Sequence, residues 1–381
     1  MRVLIAGGGT GGHLYPGIAV ARQLLRRDPA TVVRFVGTAA GIEARVLPRE
    51  GFELDVIRVA GLKGTSLVKR ARGVLLLPLS AIDAWRVISR VRPDVVIGVG
   101  GYASGPVLAL AALRGRPTLI LEQNAQPGFT NRLLAPFVRA AAVNFEAALR
   151  YFPRTGFVAG NPVRPEFFAD SPSGPRPAVE EGHDRSRQDD ARAPDTPSAT
   201  ARVLIVGGSQ GAHAINVAMV EAAPRLAAAG VPLAIVHQTG QRDLDVVRAA
   251  YERAGLEARG EAFIFEIDRE MRAADLIVCR SGATTLAELA AVGRPAVLVP
   301  FPGATDDHQL RNAEVFGRVG AAVVMEERNL DGERLATTIG GLFRDRAALA
   351  RMGEAARGLA RPDAAERVAD RVEQLGGRRA R

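Results

Sequence analysis

The sequence has little of several things that define common classes of protein. Only one of its 381 residues is a cysteine, Cys279, which excludes a disulfide framework and a thiolate metal cage and fits a reducing compartment. Aromatic residues make up 5%, with no stacking run among basic residues, so no nucleic-acid partner is predicted. Hydrophobic residues reach 47%, which is enough for a sizeable core, and the length predicts two domains.

Long hydrophobic runs are also missing. Residues 95–113 carry no formal charge, but they contain four glycines and Pro106, so we predict a strand, a glycine turn and a helix rather than a membrane span. At the start of the sequence, the apolar run Val3–Ala6 ends at once in glycine, so no signal peptide is expected.

The excess positive charge, +9 overall, is concentrated in one stretch. Between Arg58 and Arg92 there are eight basic residues and one acid, Asp83, beside apolar residues that include Trp85. This mixture is typical of a surface that rests on an anionic membrane. It is also found on an ordinary solvated helix, and the composition alone leaves both interpretations open.

The chain repeats one pattern. Residues 2–13 and 202–213 each read as a short β-branched strand, a glycine loop and the start of a helix, which predicts two α/β domains. Between them, residues 170–200 are rich in proline and acids and hold only one branched aliphatic residue. We predict that this stretch is a flexible insertion without a site of its own.

Short apolar runs alternate with helical patterns in both halves. Such runs suit parallel strands covered on both faces. The predicted strands are Val3–Ala6, Val32–Val36, Val95–Ile97, Thr118–Leu121, Ala141–Asn144, Val203–Val206, Leu233–His237, Ala262–Phe265, Leu276–Cys279 and Ala296–Val299. Ligands of such sheets bind beyond the carboxyl ends of the strands, where every glycine loop of this sequence falls.

The first glycine loop predicts phosphate binding, although not of a dinucleotide. Gly7, Gly9 and Gly12 match G-x-G-x-x-G between a strand and a helix. A dinucleotide enzyme also needs an acid at the end of its second strand, and neither Thr38 nor Gln238 is acidic there. No G-x-x-x-x-G-K-[ST] motif exists, which excludes a P-loop.

The second glycine loop leaves a hydrolase open as an alternative. Gly207-x-Ser209-x-Gly211 matches a nucleophile elbow, with Asp275 and His308 as possible triad partners in the required order. That fold does not predict the repeat or a second domain. Polar clusters after several strands of both halves favour two ligand-binding edges that face each other, as a two-substrate transfer requires.

Six motifs in order make the sequence resemble the MurG family of peptidoglycan N-acetylglucosaminyltransferases. They are Gly8–His13 (GGTGGH), Gly100–Pro106 (GGYASGP), Glu122–Asn124 (EQN), Gly160–Arg164 (GNPVR), Gly207–Ala212 (GGSQGA) and Cys279–Ala283 (CRSGA). The resemblance covers nearly the whole chain except 170–200. It implies the GT-B fold, with two doubly wound parallel-sheet, Rossmann-like domains facing across a cleft.

The resemblance also implies an activity and a domain plan. The family moves N-acetylglucosamine from UDP-N-acetylglucosamine to the undecaprenyl-pyrophosphoryl-muramoyl-pentapeptide, lipid I, and inverts the anomeric centre. It implies a peripheral protein on the cytoplasmic face of the cell membrane, held through the Arg58–Arg92 region, without cofactor or metal ligand. We expect an acceptor domain at 1–163, a hinge and insertion at 164–200, a UDP-sugar domain at 201–360 and a C-terminal helix at 361–381 that returns to the first domain. Another UDP-sugar transferase of the same fold remains the main alternative.

Site residues follow from the resemblance by position. The positions that match the cleft near the donor's sugar and diphosphate are Thr10, Gly11 and Gly12, and those that match donor contacts are Asn124 and Arg164. Ser209 matches a hydroxyl that binds the diphosphate, Ile264 matches the residue whose backbone reads uracil, and Gln309 matches the amide that reads the sugar hydroxyls. The loop that binds the ribose is matched by Ala283, Thr284, Thr285, Leu286, Ala287 and Glu288. His13 is the candidate base and Glu122 the next candidate. Many relatives have a histidine where this chain has Leu121, so no catalytic role falls on that position.

Overall fold

The computed structural model describes residues 1–59, 67–168, 200–208 and 211–377, with the side chains of 67–75 and Thr305 left out. The predicted insertion at 170–200 therefore lies outside the described residues, apart from its last position. Ser209 and the bases of the Arg58–Arg92 stretch between positions 63 and 72 are also outside this description.

The first domain is built on a parallel sheet. Within the described residues its strands are β1 (Arg2–Gly7), β2 (Val32–Gly37), β3 (Leu54–Val56), β4 (Val95–Gly100), β5 (Thr118–Glu122), β6 (Ala140–Val143) and β7 (Gly156–Val158). They lie in the order β3-β2-β1-β4-β5-β6-β7, and every neighbouring pair is parallel. The order reverses between β1 and β4, which opens a crevice at their carboxyl ends.

The second domain repeats this arrangement. Its strands are β8 (Ala201–Val206), β9 (Leu233–Gln238), β10 (Glu257–Glu261), β11 (Leu276–Cys279), β12 (Ala296–Leu298) and β13 (Ala322–Val324). They lie in the order β10-β9-β8-β11-β12-β13, again all parallel. The crevice of this sheet opens between β8 and β11.

Helices cover the two faces of both sheets. Their bounds are α1 (Gly11–Arg27), α2 (Glu43–Arg49), α3 (Leu67–Val91), α4 (Ser104–Leu113), α5 (Phe129–Leu134), α6 (His213–Ala228), α7 (Leu244–Arg253), α8 (Ile267–Ala273), α9 (Ala283–Val292), α10 (His308–Arg318), α11 (Gly332–Arg344), α12 (Arg346–Gly358) and α13 (Ala364–Leu375). Residues 95–113 form β4, a glycine turn and α4, as predicted. Among the described residues, no helix is both long and apolar enough to cross a membrane.

The last helix packs on the first domain. Val368, Ala369 and Val372 of α13 are buried in the same apolar cluster as Val3 and Ile18 of the first domain. Across this contact, Arg27 of α1 forms an ion pair with Asp370 at 2.6 Å. The chain therefore crosses between the two domains twice.

The predicted fold class, with two doubly wound parallel sheets, is confirmed, but the edge strands were poorly predicted. The expected strand Ala262–Phe265 is wrong, because β10 is formed by Glu257–Glu261. The strands β3, β7 and β13 were not predicted at all. All four lie at sheet edges, where a strand is short or carries charged residues and so lacks a long apolar run.

Candidate functional site

The first glycine loop is held in place by close backbone contacts. Gly8 donates its N–H to the Gly100 carbonyl at 3.2 Å. Gly7 has φ +147°, and a Cβ there would lie 2.3 Å from the Gly100 oxygen. Only glycine allows the β1 and β4 loops to approach this closely. The result brings the GGTGGH and GGYASGP motifs together at the crevice of the first sheet.

A buried carboxylate that the sequence analysis missed supports this loop. Glu43, at the start of α2, accepts hydrogen bonds from the Gly9 N–H at 2.7 Å, the Thr38 N–H at 2.8 Å and the Thr38 hydroxyl at 2.9 Å. It ties the end of β2 to the glycine loop and occupies one of the loop amides. Nothing in its sequence context distinguishes Glu43 from a solvated helix residue, since two of its three donors are backbone N–H groups.

His13 lies in the first turn of α1, directly after the first glycine loop. Its Nδ1 lies 3.1 Å from the Thr10 hydroxyl. Burial, followed by the nearby charge of His308, lowers the pKa of His13 to about 4, while a hydrogen bond to the Gly8 backbone and the Glu43 carboxylate oppose the shift. His13 is therefore neutral at physiological pH, with its ring oriented by Thr10 and Gly8.

The two domains meet directly at this point. The Thr284 hydroxyl, on α9 of the second domain, donates to the Gly12 carbonyl at 2.9 Å. Asn161, from the GNPVR motif, donates to the same hydroxyl at 3.2 Å. Thr10, Gly11, Gly12 and Thr284, predicted from distant parts of the sequence, are thus neighbours across the cleft.

Asn312 makes a second link across the cleft and was also missed. This fully buried residue of α10 accepts the Ala125 N–H at 2.9 Å and donates to the Asn124 side-chain oxygen at 3.1 Å. It also donates to the Ser281 carbonyl at 3.3 Å. One side chain therefore joins the EQN segment of the first domain to the CRSGA segment of the second.

Glu122 is surrounded by donors. Its carboxylate accepts from the Asn124 N–H at 2.9 Å, the Asn131 amide at 2.7 Å, the Asn124 amide at 3.2 Å and the Gly128 N–H at 3.3 Å. Burial raises the pKa of Glu122, and these hydrogen bonds oppose the shift. This geometry suits a carboxylate that shapes the segment carrying Asn124 better than one that receives a proton from a substrate.

Glu288 of α9 and Arg164 of the GNPVR motif are two charged candidates for the site. Burial raises the pKa of Glu288 to about 7, the charge of Arg164 lowers it, and that of Asp268 raises it. The Arg164 guanidinium lies over the rings of Tyr15 and Phe167, with its carbon 5.2 Å and 5.0 Å from the two ring centres. The ionised form of a carboxyl group can accept hydrogen bonds from two hydroxyl groups.

The predicted residues at 283–288 differ in how they are placed. They form the first turns of α9 rather than a loop. Leu286 is fully buried in the core, and it lines, with Ala287 and Asn161, a cavity of 410 Å³ between the domains, whereas Glu288 does not border that cavity. Ala283 is buried at the start of the helix, and Thr285 is half-buried beside it.

Gln309 and Ile264 are engaged by neighbouring groups. The Gln309 side-chain oxygen accepts the Phe301 N–H at 3.0 Å, which fixes the amide at the start of α10. The Ile264 N–H donates to the side-chain oxygen of Gln238 at 2.9 Å. Both lie beyond the carboxyl ends of their strands, where a ligand of the second sheet would bind.

The hydrolase alternative is wrong. Asp275 immediately precedes β11 and accepts the Arg202 N–H at 2.8 Å, at the amino ends of β8 and β11. A nucleophile after Gly208 would lie beyond the carboxyl end of β8, at the opposite edge of the sheet. The six residues of β8, roughly 20 Å of strand, separate these edges, so Asp275 cannot orient a histidine beside that loop.

The acidic pair at 306 and 307 precedes α10. Asp306 accepts a hydrogen bond from Arg132 of the first domain at 3.0 Å. Among the described residues, no group of three or more histidine, cysteine or acidic side chains is placed to hold a metal ion.

Comparison with known proteins identifies relatives over the full length. Residues 3–143 match the N-terminal domain of glycosyltransferase family 28, and residues 202–368 match its C-terminal domain. A UDP-N-acetylglucosamine–N-acetylmuramyl-(pentapeptide) pyrophosphoryl-undecaprenol N-acetylglucosamine transferase of Anaeromyxobacter dehalogenans is 44% identical over the whole chain and 94% of its own length. The transferase of the same name from Pelobacter propionicus is 46% identical over 98% of this chain and 99% of its own. The crystal structure of Acinetobacter baumannii MurG superposes with a TM-score of 0.75 at 31% identity, covering 98% of this chain and 99% of that one.

Proposed function

Since the chain belongs to the MurG family of glycosyltransferase family 28, we propose that it transfers N-acetylglucosamine from UDP-N-acetylglucosamine to lipid I and so forms lipid II for peptidoglycan synthesis. The observation that carries this proposal is the full-length identity of 44–46% to relatives that bear this activity in their names. The contact between Gly12 of the first domain and Thr284 of the second supports it, because a transfer needs both substrates in one cleft.

We assign the donor to the second domain. Glu288 accepts hydrogen bonds from the ribose hydroxyls, the Ile264 backbone reads the uracil, and Ser209 with the loop amides binds the diphosphate. The N-terminus of α6 adds about half a positive charge to this loop, and Arg164 supplies a full one. These groups offset the charge of the departing UDP, so we expect no metal and no cofactor at this site.

We assign the sugar to the boundary between the domains. Asn124 and Gln309 contact the N-acetylglucosamine hydroxyls from opposite sides of the cleft. The Asn124 amide is held at both ends, since its oxygen accepts from Asn312 and its nitrogen donates to Glu122. An amide whose orientation is fixed in advance loses little freedom when it binds the sugar.

The transfer proceeds with inversion. The acceptor hydroxyl attacks C1 of N-acetylglucosamine from the face opposite UDP, the C1–O bond to the β-phosphate breaks, and UDP leaves with the bonding electrons. His13 takes the hydroxyl proton at Nδ1 in place of its contact with Thr10. With a pKa of about 4, His13 is a weak base, so the proton moves only when the new C1–O bond is well advanced.

We further propose that the first domain rests on the cytoplasmic face of the cell membrane. Trp85 of α3 and Leu113 of α4 are 52% and 83% exposed, and the Arg114 guanidinium lies 4.2 Å from the Trp85 ring centre. An apolar pair beside a cation suits an anionic lipid surface. Within the predicted Arg58–Arg92 stretch, Arg58 pairs with Asp83 at 2.7 Å, so its charge is partly neutralised.

The experiment for this proposal is a transfer assay. Purified protein is incubated with labelled UDP-N-acetylglucosamine and a short-chain lipid I analogue, and the product and free UDP are measured together. One N-acetylglucosamine transferred for each UDP released is the expected result. Transfer of a different sugar, or to a diacylglycerol instead, would favour another UDP-sugar transferase of the same fold.

A further inference from the structure

Gln238 occupies a position that the sequence analysis singled out and the proposed function leaves unused. It ends β9, where a dinucleotide-binding domain has its ribose-binding acid. In the ladder, Gln238 pairs with Val206 of β8 on one side and Glu261 of β10 on the other. It therefore lies between the glycine loop that follows β8 and the Ile264 segment that follows β10.

The side chain of Gln238 reaches both of these segments. Its amide nitrogen donates to the Gly208 carbonyl at 2.7 Å, and its side-chain oxygen accepts the Ile264 N–H at 2.9 Å. The residue is 4% exposed, so both hydrogen bonds are shielded from water. These partners fix the orientation of the amide. In the reverse orientation the amide nitrogen would face the Ile264 N–H, donor against donor, and the amide oxygen would face the Gly208 carbonyl, acceptor against acceptor.

The two segments are the ends of the donor site. Gly208 has φ +86°, and a Cβ added there would meet no atom of the described residues within 4 Å. The Gly208 carbonyl also accepts the Gly211 N–H at 3.0 Å, and Ile264 packs in the core of the second domain, but the Gln238 side chain hydrogen-bonds both segments and so links one to the other. We propose that Gln238 is a positioning residue that fixes the distance between the diphosphate loop and the base-reading segment, so that one nucleotide diphosphate spans both.

This inference rests on the proposed function, since it takes the ligand to be a uridine diphosphate. Its energetic basis is preorganisation. A ligand that binds two segments at once gains affinity only if their spacing is set before it binds. A fragment that contacts one segment, such as uridine, gains nothing from this fixed spacing.

A matched control is provided by the neighbouring residue. His237 points to the other face of β9, where its Nδ1 lies 2.8 Å from the Tyr251 hydroxyl and its Nε2 lies 3.0 Å from the Asn216 side-chain oxygen. It is fully buried, and the hydrogen bonds of its ring go to Tyr251 and Asn216 rather than to the Gly208 or Ile264 backbone. His237→Leu therefore removes buried hydrogen bonds of the same domain without touching the two donor segments.

The test is titration calorimetry with UDP, supported by thermal unfolding of each variant. Gln238→Leu is expected to weaken UDP binding about tenfold while uridine binding, measured by competition, stays within about twofold. His237→Leu is expected to lower Tm but to keep UDP binding within about twofold. In the transfer assay, Gln238→Leu is expected to raise KM for the donor with little change in kcat, because the interaction is made equally in ground and transition states.

A second variant separates positioning from packing. In Gln238→Glu, a protonated carboxyl has the same donor and acceptor as the amide, whereas the carboxylate has no donor for the Gly208 carbonyl. The ratio of its UDP affinity to that of wild type at the same pH is expected to approach one at about pH 5.5, where the carboxyl is protonated. The ratio is expected to fall at about pH 8.5, where the carboxylate predominates. A pH-independent ratio would overturn the proposed bond to Gly208.

Two results would overturn the proposal as a whole. One is a Gln238→Leu protein that binds UDP within twofold of wild type. The other is a loss of UDP affinity in Gln238→Leu that is not specific to it. That is the case if His237→Leu loses the same UDP affinity at the same loss of Tm, or if Gln238→Leu loses uridine affinity by the same factor as UDP affinity. A wild-type protein that fails to bind UDP at all would instead refute the proposed function, so the two failures are distinguishable.

Discussion

The affinity for the sugar donor should depend on pH through one carboxyl group. Burial raises the pKa of Glu288 to about 7, with Arg164 lowering it and Asp268 raising it. In the proposed function, the ionised carboxylate accepts hydrogen bonds from both ribose hydroxyls. A protonated carboxyl must keep its own proton on one oxygen and so binds the ribose less well.

The magnitude follows from this pKa. If only the ionised form binds the ribose, about nine tenths of the protein is competent at pH 8 and about one tenth at pH 6. The dissociation constant for UDP-N-acetylglucosamine should therefore rise about tenfold between these pH values, equivalent to about 1.4 kcal/mol. The donor is a diphosphate diester without a titrating terminal phosphate, so its own charge stays constant over this range.

Two variants test the assignment by calorimetry over the same range. Glu288→Gln should bind more weakly at pH 8 and lose the pH dependence, because an amide does not titrate. Asp268→Asn should lower the pKa of Glu288 and move the midpoint to lower pH, since the Asp268 charge is one of the causes of the shift. A Glu288→Gln protein that keeps the tenfold pH dependence would refute the reasoning.

Three further variants test other parts of the account. His13→Ala should lower kcat by about 10²–10⁴ while donor affinity stays within about threefold. Because the pKa of His13 is about 4, protonation of His13 should not lower the kcat of the wild type above about pH 5. Equal kcat in wild type and variant would remove His13 as the base. Asn312→Ala leaves the buried Ala125 N–H without its partner, which costs about 1–3 kcal/mol, and should reduce kcat/KM at least tenfold with unchanged UDP affinity. Weakened UDP binding by the same factor would instead place Asn312 in the donor site. The double variant Trp85→Glu, Leu113→Glu should lose cosedimentation with anionic vesicles but keep transfer to a soluble acceptor, and retained cosedimentation would contradict the membrane surface.

The interior of both sheets was predictable from the sequence, because central parallel strands such as β4 and β11 are continuous apolar runs. The edges were not. The segment Glu257–Glu261 forms β10 through backbone hydrogen bonds to β9, and its side chains carry no signal for it. The length of the chain and the repeated glycine loops were enough to predict the two domains, because the segments that start at β1 and at β8 have the same pattern.

Motifs indicated candidate site residues, whereas the contacts between distant segments could not be predicted from the sequence. Thr10 and Thr284 were both expected at the site, but only the structure brings the Thr284 hydroxyl to Gly12 across the cleft. Glu43 and Asn312 were missed, and the contacts of Gln238 were not predicted, for a common physical reason. Each acts on backbone groups or on a side chain far away in the sequence, so no local spacing marks it.

The central claim is that one cleft transfers N-acetylglucosamine from UDP to lipid I with inversion. The most direct measurement is the NMR spectrum of the disaccharide product made from UDP-N-acetylglucosamine and a short-chain lipid I analogue. The account predicts a β-linked N-acetylglucosamine on the muramoyl sugar and an equal amount of UDP. An α-linked product, or UDP release without a new disaccharide, would contradict it.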